Sequence, residues 1–182
     1  LSSNERVGIN IGPYKQIVEA INGQSSNLAK IFSARNPTPH DVHVMGRQAG
    51  HWSRPDLLVE FRGRRLAPRP TEIHSIEFEF PGHAWPENVA QAYVSGRGSH
   101  KSWLLFSLDD YLETQDKRAV DPNWSATEAL ARDLGVGLIG YCKLSAASTW
   151  RRILKARRRS PDRTKEAFIK DLLAQAKSNS IQ

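Results

Sequence analysis

Arg54-Pro55-Asp56-Leu57-Leu58-Val59-Glu60-Phe61 and, after a basic turn, Glu72-Ile73-His74-Ser75-Ile76-Glu77-Phe78-Glu79-Phe80 decide how this chain is read. Both stretches mix apolar and polar residues with a period of two, the pattern of strands. In the first, Leu57, Val59 and Phe61 share one face, and Leu58 and Glu60 share the other. In the second, Ile76, Phe78 and Phe80 point into a core, while Glu77 and Glu79 point together the other way. Arg62-Gly63-Arg64-Arg65 reads as the basic tip of a long hairpin, and Pro68 and Pro70 delay the return strand. The two strands are then adjacent and antiparallel, with Asp56 beside Glu77.

Two carboxylates on one strand face repel each other, and their ionised forms are costly among apolar neighbours unless a cation joins them. With Asp56 on the neighbouring strand, three carboxylates converge into a hard, oxygen-rich site of the kind Mg²⁺ or Mn²⁺ takes. The plainer reading is open beside it. An Asp after Pro is a common turn residue, and Glu77 and Glu79, like Glu60 and Glu72, also suit the wet face of an amphipathic strand.

Downstream, Pro86 suits a first helical position and Glu87 its positive end. Val89 and Tyr93 stack at i, i+4, Gln91 lies off that pair, and Gly96 ends the helix. Trp103 to Leu108 is a buried strand. Ser125-Ala126-Thr127-Glu128 is a capping box opening a helix stopped by Gly135, and Val136 to Cys142 is a further buried strand. Upstream, Tyr14, Ile17, Val18 and Ile21 form an amphipathic helix with Glu19 off the apolar face, and Leu28, Ile31 and Phe32 a second, short one. His40 to Met45 alternates like a strand, in which His40 and His43 face opposite ways and cannot share one metal. The Gly46–Ser53 loop, with His51 and Trp52, lies beside the acidic cluster.

The order of these pieces resembles the PD-(D/E)xK nuclease superfamily over roughly Gly12 to Cys142. Pro55-Asp56 matches its Pro-Asp, Glu77-Phe78-Glu79 stands in place of (D/E)-x-K, and Gln91-Ala92-Tyr93 falls where many members have a Gln and an aromatic. Glu79 occupies the position of the usual Lys, as in some restriction enzymes of that superfamily. The resemblance implies an α/β fold: a restriction-endonuclease-like αβββαβ core with a mixed central sheet flanked by helices. It implies a metal held by Asp56, Glu77 and the Phe78 carbonyl, and catalytic roles for Glu79, Gln91 and Glu19. Lys101 is the candidate for the charge missing at Glu79. The implied activity is a Mg²⁺- or Mn²⁺-dependent DNA endonuclease leaving a 5′-phosphate and a 3′-hydroxyl. A homodimer suits cutting of two strands.

The chain has 182 residues, 39% hydrophobic and 25% charged, an ordinary globular composition. Its formal net charge is +7, from 26 Lys plus Arg against 19 acids, which favours a polyanionic partner, here double-stranded DNA. Arg62, Arg64 and Arg65, then Arg97 and Lys101, then Arg151, Arg152, Arg157 and Arg158 are the expected nucleic-acid contacts. The single Cys142 excludes an internal disulfide and fits a cytoplasmic setting. No apolar run reaches the length of a membrane span, and Leu1-Ser2-Ser3-Asn4 has no signal-peptide pattern. The expected organisation is a core over residues 1–145 and a basic C-terminal extension over 146–182, helical from Ser148 to Arg159 and again after Pro161. Two other functional classes stand beside the nuclease. One is a nuclease-fold module that binds nucleic acid without cutting, favoured by the absent Lys. The other is a basic regulatory domain that binds proteins.

Overall fold

A computed structural model describes residues 12–23, 26–43, 54–62, 71–79, 85–108 and 122–179. Its centre is one six-stranded mixed sheet whose spatial order follows the chain: β1 (Pro37–Asp41), β2 (Leu57–Phe61), β3 (Glu72–Phe78), β4 (Lys101–Ser107), β5 (Gly137–Tyr141) and β6 (Trp150–Leu154). β1, β2 and β3 form an antiparallel meander, β3, β4 and β5 are parallel neighbours, and β6 returns antiparallel to β5. Parallel neighbours need a crossover, and helices α3 (Trp85–Ser95) and α4 (Pro122–Leu134) supply the two. The remaining helices are α1 (Gly12–Asn22), α2 (Ser26–Phe32) and α5 (Arg163–Asn179).

Strand alternation sorts the core into two layers. Leu57, Val59, Phe61, Ile76, Phe78, Trp103 and Leu105 pack against Ile17, Ile21, Leu28, Ile31 and Phe32 of α1 and α2. On the opposite face, Leu104, Phe106 and Leu138 meet Val89 and Ala92 of α3 and Ala131 of α4. Leu58 and Ile73, also on that face, are covered by Ile169, Leu172, Leu173 and Ala176 of α5. The expected division of β2 into a Leu57-Val59-Phe61 face and a Leu58-Glu60 face is the one observed.

Two expectations are corrected. The strand read over His40–Met45 lies earlier, at Pro37–Asp41. Pro37 and Pro39 are tolerated because β1 is an edge strand that needs no ladder bonds on its outer side. The basic run Ser148–Arg159 is not a helix: Trp150–Leu154 is strand β6, and a 3₁₀ turn, Ala147–Thr149, precedes it. A five-residue apolar spacing cannot tell a short helix from a strand, and pairing with β5 satisfies an edge that would otherwise be open. The region after residue 145 therefore contributes a strand and a covering helix to the same sheet. Phe80, the Gly46–Ser53 loop, Arg64 and Arg65 lie outside the described residues.

Two glycines have local reasons. Gly135, at φ +71°, ends α4 in the left-handed region, as its place after the helix predicts. Gly98 lies so close to the Lys165 backbone that a Cβ would come within 2.4 Å of its carbonyl oxygen. Gly98 thus serves close packing against α5, while Gly96 lies against Ser75 of β3 and Ser102 of β4.

Candidate functional site

Leu57 pairs with Ile76 in the antiparallel β2–β3 ladder, so one further step along the register sets Asp56 opposite Glu77. Directly opposed residues share a face, and the two carboxylates meet where β2 begins and β3 ends. Asp56 Oδ2 accepts the Phe78 N–H at 2.9 Å, which fixes its side chain against the strand end. The Tyr14 hydroxyl of α1 also donates to Asp56. Glu77 is 4% exposed. Gln91 of α3 reaches Glu77 Oε2 with its side-chain amide at 3.5 Å, and the Ser95 hydroxyl donates to the same carboxylate. Helices of both layers, α1 and α3, therefore close on one carboxylate pair.

The electrostatics set this pair apart. Burial pushes the Glu77 carboxyl well above the usual range, and the neighbouring Asp56 charge and that of Glu79 push it further. Asp56 is raised as well, by burial first, although the Phe78 N–H, Glu77 and His43 partly oppose the shift. The Tyr14 hydroxyl is raised by burial and by Asp56. No Lys or Arg among the described residues pairs with either carboxylate, and Glu77 Oε1 is buried without a hydrogen bond. Two like charges this close do not both ionise in a dry site; the pair shares a proton unless a cation replaces it.

Glu60 and Glu72, which the sequence left on equal footing with Glu77, are compensated. Burial would raise Glu60, but Lys177 Nζ at 2.9 Å and His40 Nε2 at 3.1 Å hold it below its ordinary value. Glu72 faces His74 Nε2 at 3.6 Å, Lys101 Nζ at 3.6 Å and Arg158 Nε at 3.1 Å, and is lowered to about 2, chiefly by His74. Asp56, half-buried, and Glu77, buried, alone among these acids lack a Lys or Arg partner among the described residues.

The other sequence candidates divide. Gln91 joins the pair. Glu79 lies one residue past β3, half-buried, with its N–H on the Leu105 carbonyl at 3.0 Å. Among the described residues no three His, Cys, Asp or Glu side chains gather as a metal cage, so the expected third carboxylate is not brought fully into the cluster. Glu19 is solvent-facing and pairs with Lys15 at 3.9 Å. Lys101 pairs in register with His74, at the beginning of β3, and shares the face of His74 and Trp103, opposite to that of Glu77. It cannot supply the charge missing at Glu79.

Much of the basic surface is tethered. Arg97 pairs with Asp162 at 3.1 Å. Arg152 donates to the Ile31 carbonyl at 3.1 Å and to Ser33 Oγ at 2.7 Å, capping the end of α2. Arg157 donates to the Arg132 carbonyl at 3.1 Å. Arg159 bonds the Gly96 carbonyl and Ser102 Oγ and lies 5.2 Å over the Tyr93 ring. Arg62 and Arg151 are exposed.

Two neighbours of the pair, Tyr14 and His43, were not placed beside it by the sequence. Tyr14 reads there as one more apolar contact of α1, yet its ring stacks on His43 with centroids 3.8 Å apart while its hydroxyl reaches Asp56. His43 Nδ1 is held by Asp41, and its Nε2 is buried without a hydrogen-bond partner. Only the Asp41-x-His43 spacing could have suggested the contact. No family model matches the chain, and no curated protein matches it in sequence.

Proposed function

We propose that the chain is a divalent-metal-dependent nuclease that hydrolyses DNA phosphodiester bonds at the Asp56–Glu77 pair. The observation behind this reading is the buried pair without a cationic partner, with Glu77 Oε1 orphaned between them. Such a donor set fits a hard cation, Mg²⁺ or Mn²⁺. The succession α1, β1 to β3, α3, β4 agrees with the αβββαβ order implied by the resemblance to PD-(D/E)xK nucleases. Asp56 and Glu77 would hold the ion, with the Phe78 carbonyl as the further ligand the resemblance implies. A bound ion of this kind supplies Lewis-acid charge neutralisation to a phosphodiester.

The chain's own residues prepare the place. The Phe78 N–H and the Tyr14 hydroxyl aim Asp56, and the Gln91 amide and the Ser95 hydroxyl hold Glu77. A cation held there would favour the ionised form of both carboxyls, and their protons would go to solvent. Asp41 fixes the His43 ring, leaving Nε2 without a hydrogen-bond partner.

A second reading, a nuclease-fold module that binds DNA without cutting it, is favoured by one observation: Lys101, the candidate for the missing Lys, lies at the other end of β3. The experiment is incubation of plasmid and linear DNA with the protein in Mg²⁺ or Mn²⁺, with EDTA controls and the Asp56→Ala and Glu77→Ala variants. Cleavage lost in both variants and in EDTA is expected. Folded parent protein that retards DNA on gels but leaves every form intact would replace the nuclease by the binding module.

A further inference from the structure

A cavity among the described residues lies away from the carboxylate pair. It encloses about 740 Å³ and is lined by Ser33, Glu72, Lys101, Lys155, Arg157 and Arg158. Glu72 and Glu77 stand at opposite ends of β3, roughly 16 Å apart along the strand. They also face opposite layers.

Glu72 is the only acid in this lining, and it is divided among Lys101, Arg158 and His74. Lys101 is 7% exposed, and its ammonium otherwise reaches only the Phe32 carbonyl at 3.4 Å. Burial, Lys155 and Arg158 all act against its charge. Arg158 meets Glu72 through Nε, and its two Nη groups make no hydrogen bond among the described residues. Lys155, exposed at the rim, forms no ion pair there. Arg157 also borders the cavity but spends its guanidinium on the Arg132 carbonyl. The cavity therefore holds four cations against one shared carboxylate, with donors of Lys155 and Arg158 left over.

The excess matches a dianion with several acceptor oxygens. A guanidinium offers parallel donors to a phosphoryl group, and ammonium groups add point charges. The volume is that of a site for a nucleotide-sized ligand. We propose that this basic cavity binds a phosphate monoester, with Lys101 at its floor and Lys155 and Arg158 at its rim. The phosphoryl group belongs either to a free nucleotide or to the phosphorylated end of a nucleic-acid strand. This inference does not rest on the nuclease reading.

The test uses the whole chain at constant ionic strength. Calorimetric titration compares adenosine monophosphate with adenosine and inorganic phosphate with chloride. Fluorescence anisotropy compares a 5′-phosphorylated oligonucleotide with its 5′-hydroxyl twin. At least tenfold preference for a phosphorylated ligand is expected, falling tenfold or more in Lys155→Ala and Arg158→Gln. Lys155 has no ion-pair partner among the described residues, so its variant keeps the test valid if Arg158→Gln fails to fold. Preference for the mononucleotide alone assigns the free source, and preference for the phosphorylated strand assigns the strand end. Equal binding of phosphorylated and unphosphorylated ligands in every pair would overturn the proposal. Glu77→Gln should keep this binding, so its fate is separable from that of the carboxylate site.

Discussion

The two ends of β3 treat a buried carboxylate in opposite ways. At its beginning, Glu72 is surrounded by His74, Lys101 and Arg158 and is lowered to about 2. Near its end, Glu77 is buried against Asp56 with no cation and is raised well above its ordinary value. One strand, seven residues long, thus contains a satisfied ion cluster and an unsatisfied one. The difference teaches how to tell a structural acid from a functional one. Burial alone marks both, whereas the presence or absence of a cationic partner separates them.

The largest effect should come from breaking the satisfied end. Glu72→Ala leaves Lys101 buried and Arg158 unpaired, and should cost about 2–3 kcal/mol in urea unfolding. That is below the figure for a fully buried pair because the Glu72 side chain keeps 21% of its exposure. The pH dependence has a definite sign. Glu72 is depressed from 4.5 to about 2, and His74 from 6.5 to about 4 by burial. Each therefore contributes stability above its unfolded value that is lost as pH falls, His74 between 6.5 and about 4, Glu72 between 4.5 and about 2. Trp103 Nε1 donates to His74 Nδ1 at 3.2 Å, which leaves the proton of the neutral ring on Nε2, facing Glu72. In Glu72→Ala the lower limb should vanish; an unchanged acid profile would break the contrast from this side.

The next effect should be opposite in direction. Glu77 and Asp56 have raised values, so their contributions are fully present below pH 4.5 and pH 3.8 respectively and are lost as pH rises through the raised range. In EDTA at pH 8, Glu77→Gln should stabilise the protein by about 1–2 kcal/mol, because it removes the repulsion. Mg²⁺ should raise the melting temperature of the parent and not of the variant. A parent insensitive to pH between 5 and 9 and to Mg²⁺ would mean that the two ends of β3 do not differ as described.

The smallest effect should sharpen the comparison at a single hydrogen bond. Tyr14→Phe removes one donor from Asp56 and should cost about 0.5–1 kcal/mol. Because that bond lowers Asp56, its loss should raise the carboxyl further and weaken Mg²⁺ binding a few-fold at pH 7 by calorimetry. An unaltered cation affinity would place Tyr14 outside the site.

The capping box read at Ser125 lies inside α4, which begins at Pro122. The period-two pattern of β2 and β3, the helix punctuation at Pro86 and Gly135, and the Asp56–Glu77 pairing were legible in the residues themselves. Each depends on local alternation, turn chemistry or capping, which act over a few positions. The strand at Trp150–Leu154 was not legible, because its stability comes from pairing with β5. Nor was the tethering of the basic run. Arg152, Arg157, Arg158 and Arg159 read as free charge, and each is anchored by groups far away in sequence.

The residues by themselves determined that acids would line a sheet face and that a divalent cation or a salt partner would have to answer them. Only the tertiary structure decided which acid received which answer. Lys177 of α5 reaches Glu60, Lys101 and Arg158 reach Glu72, and no Lys or Arg among the described residues reaches Glu77. The physical reason is that a charge in a low-dielectric interior is governed by the few groups within several ångströms of it. Those neighbours come from distant parts of the chain that folding alone brings together.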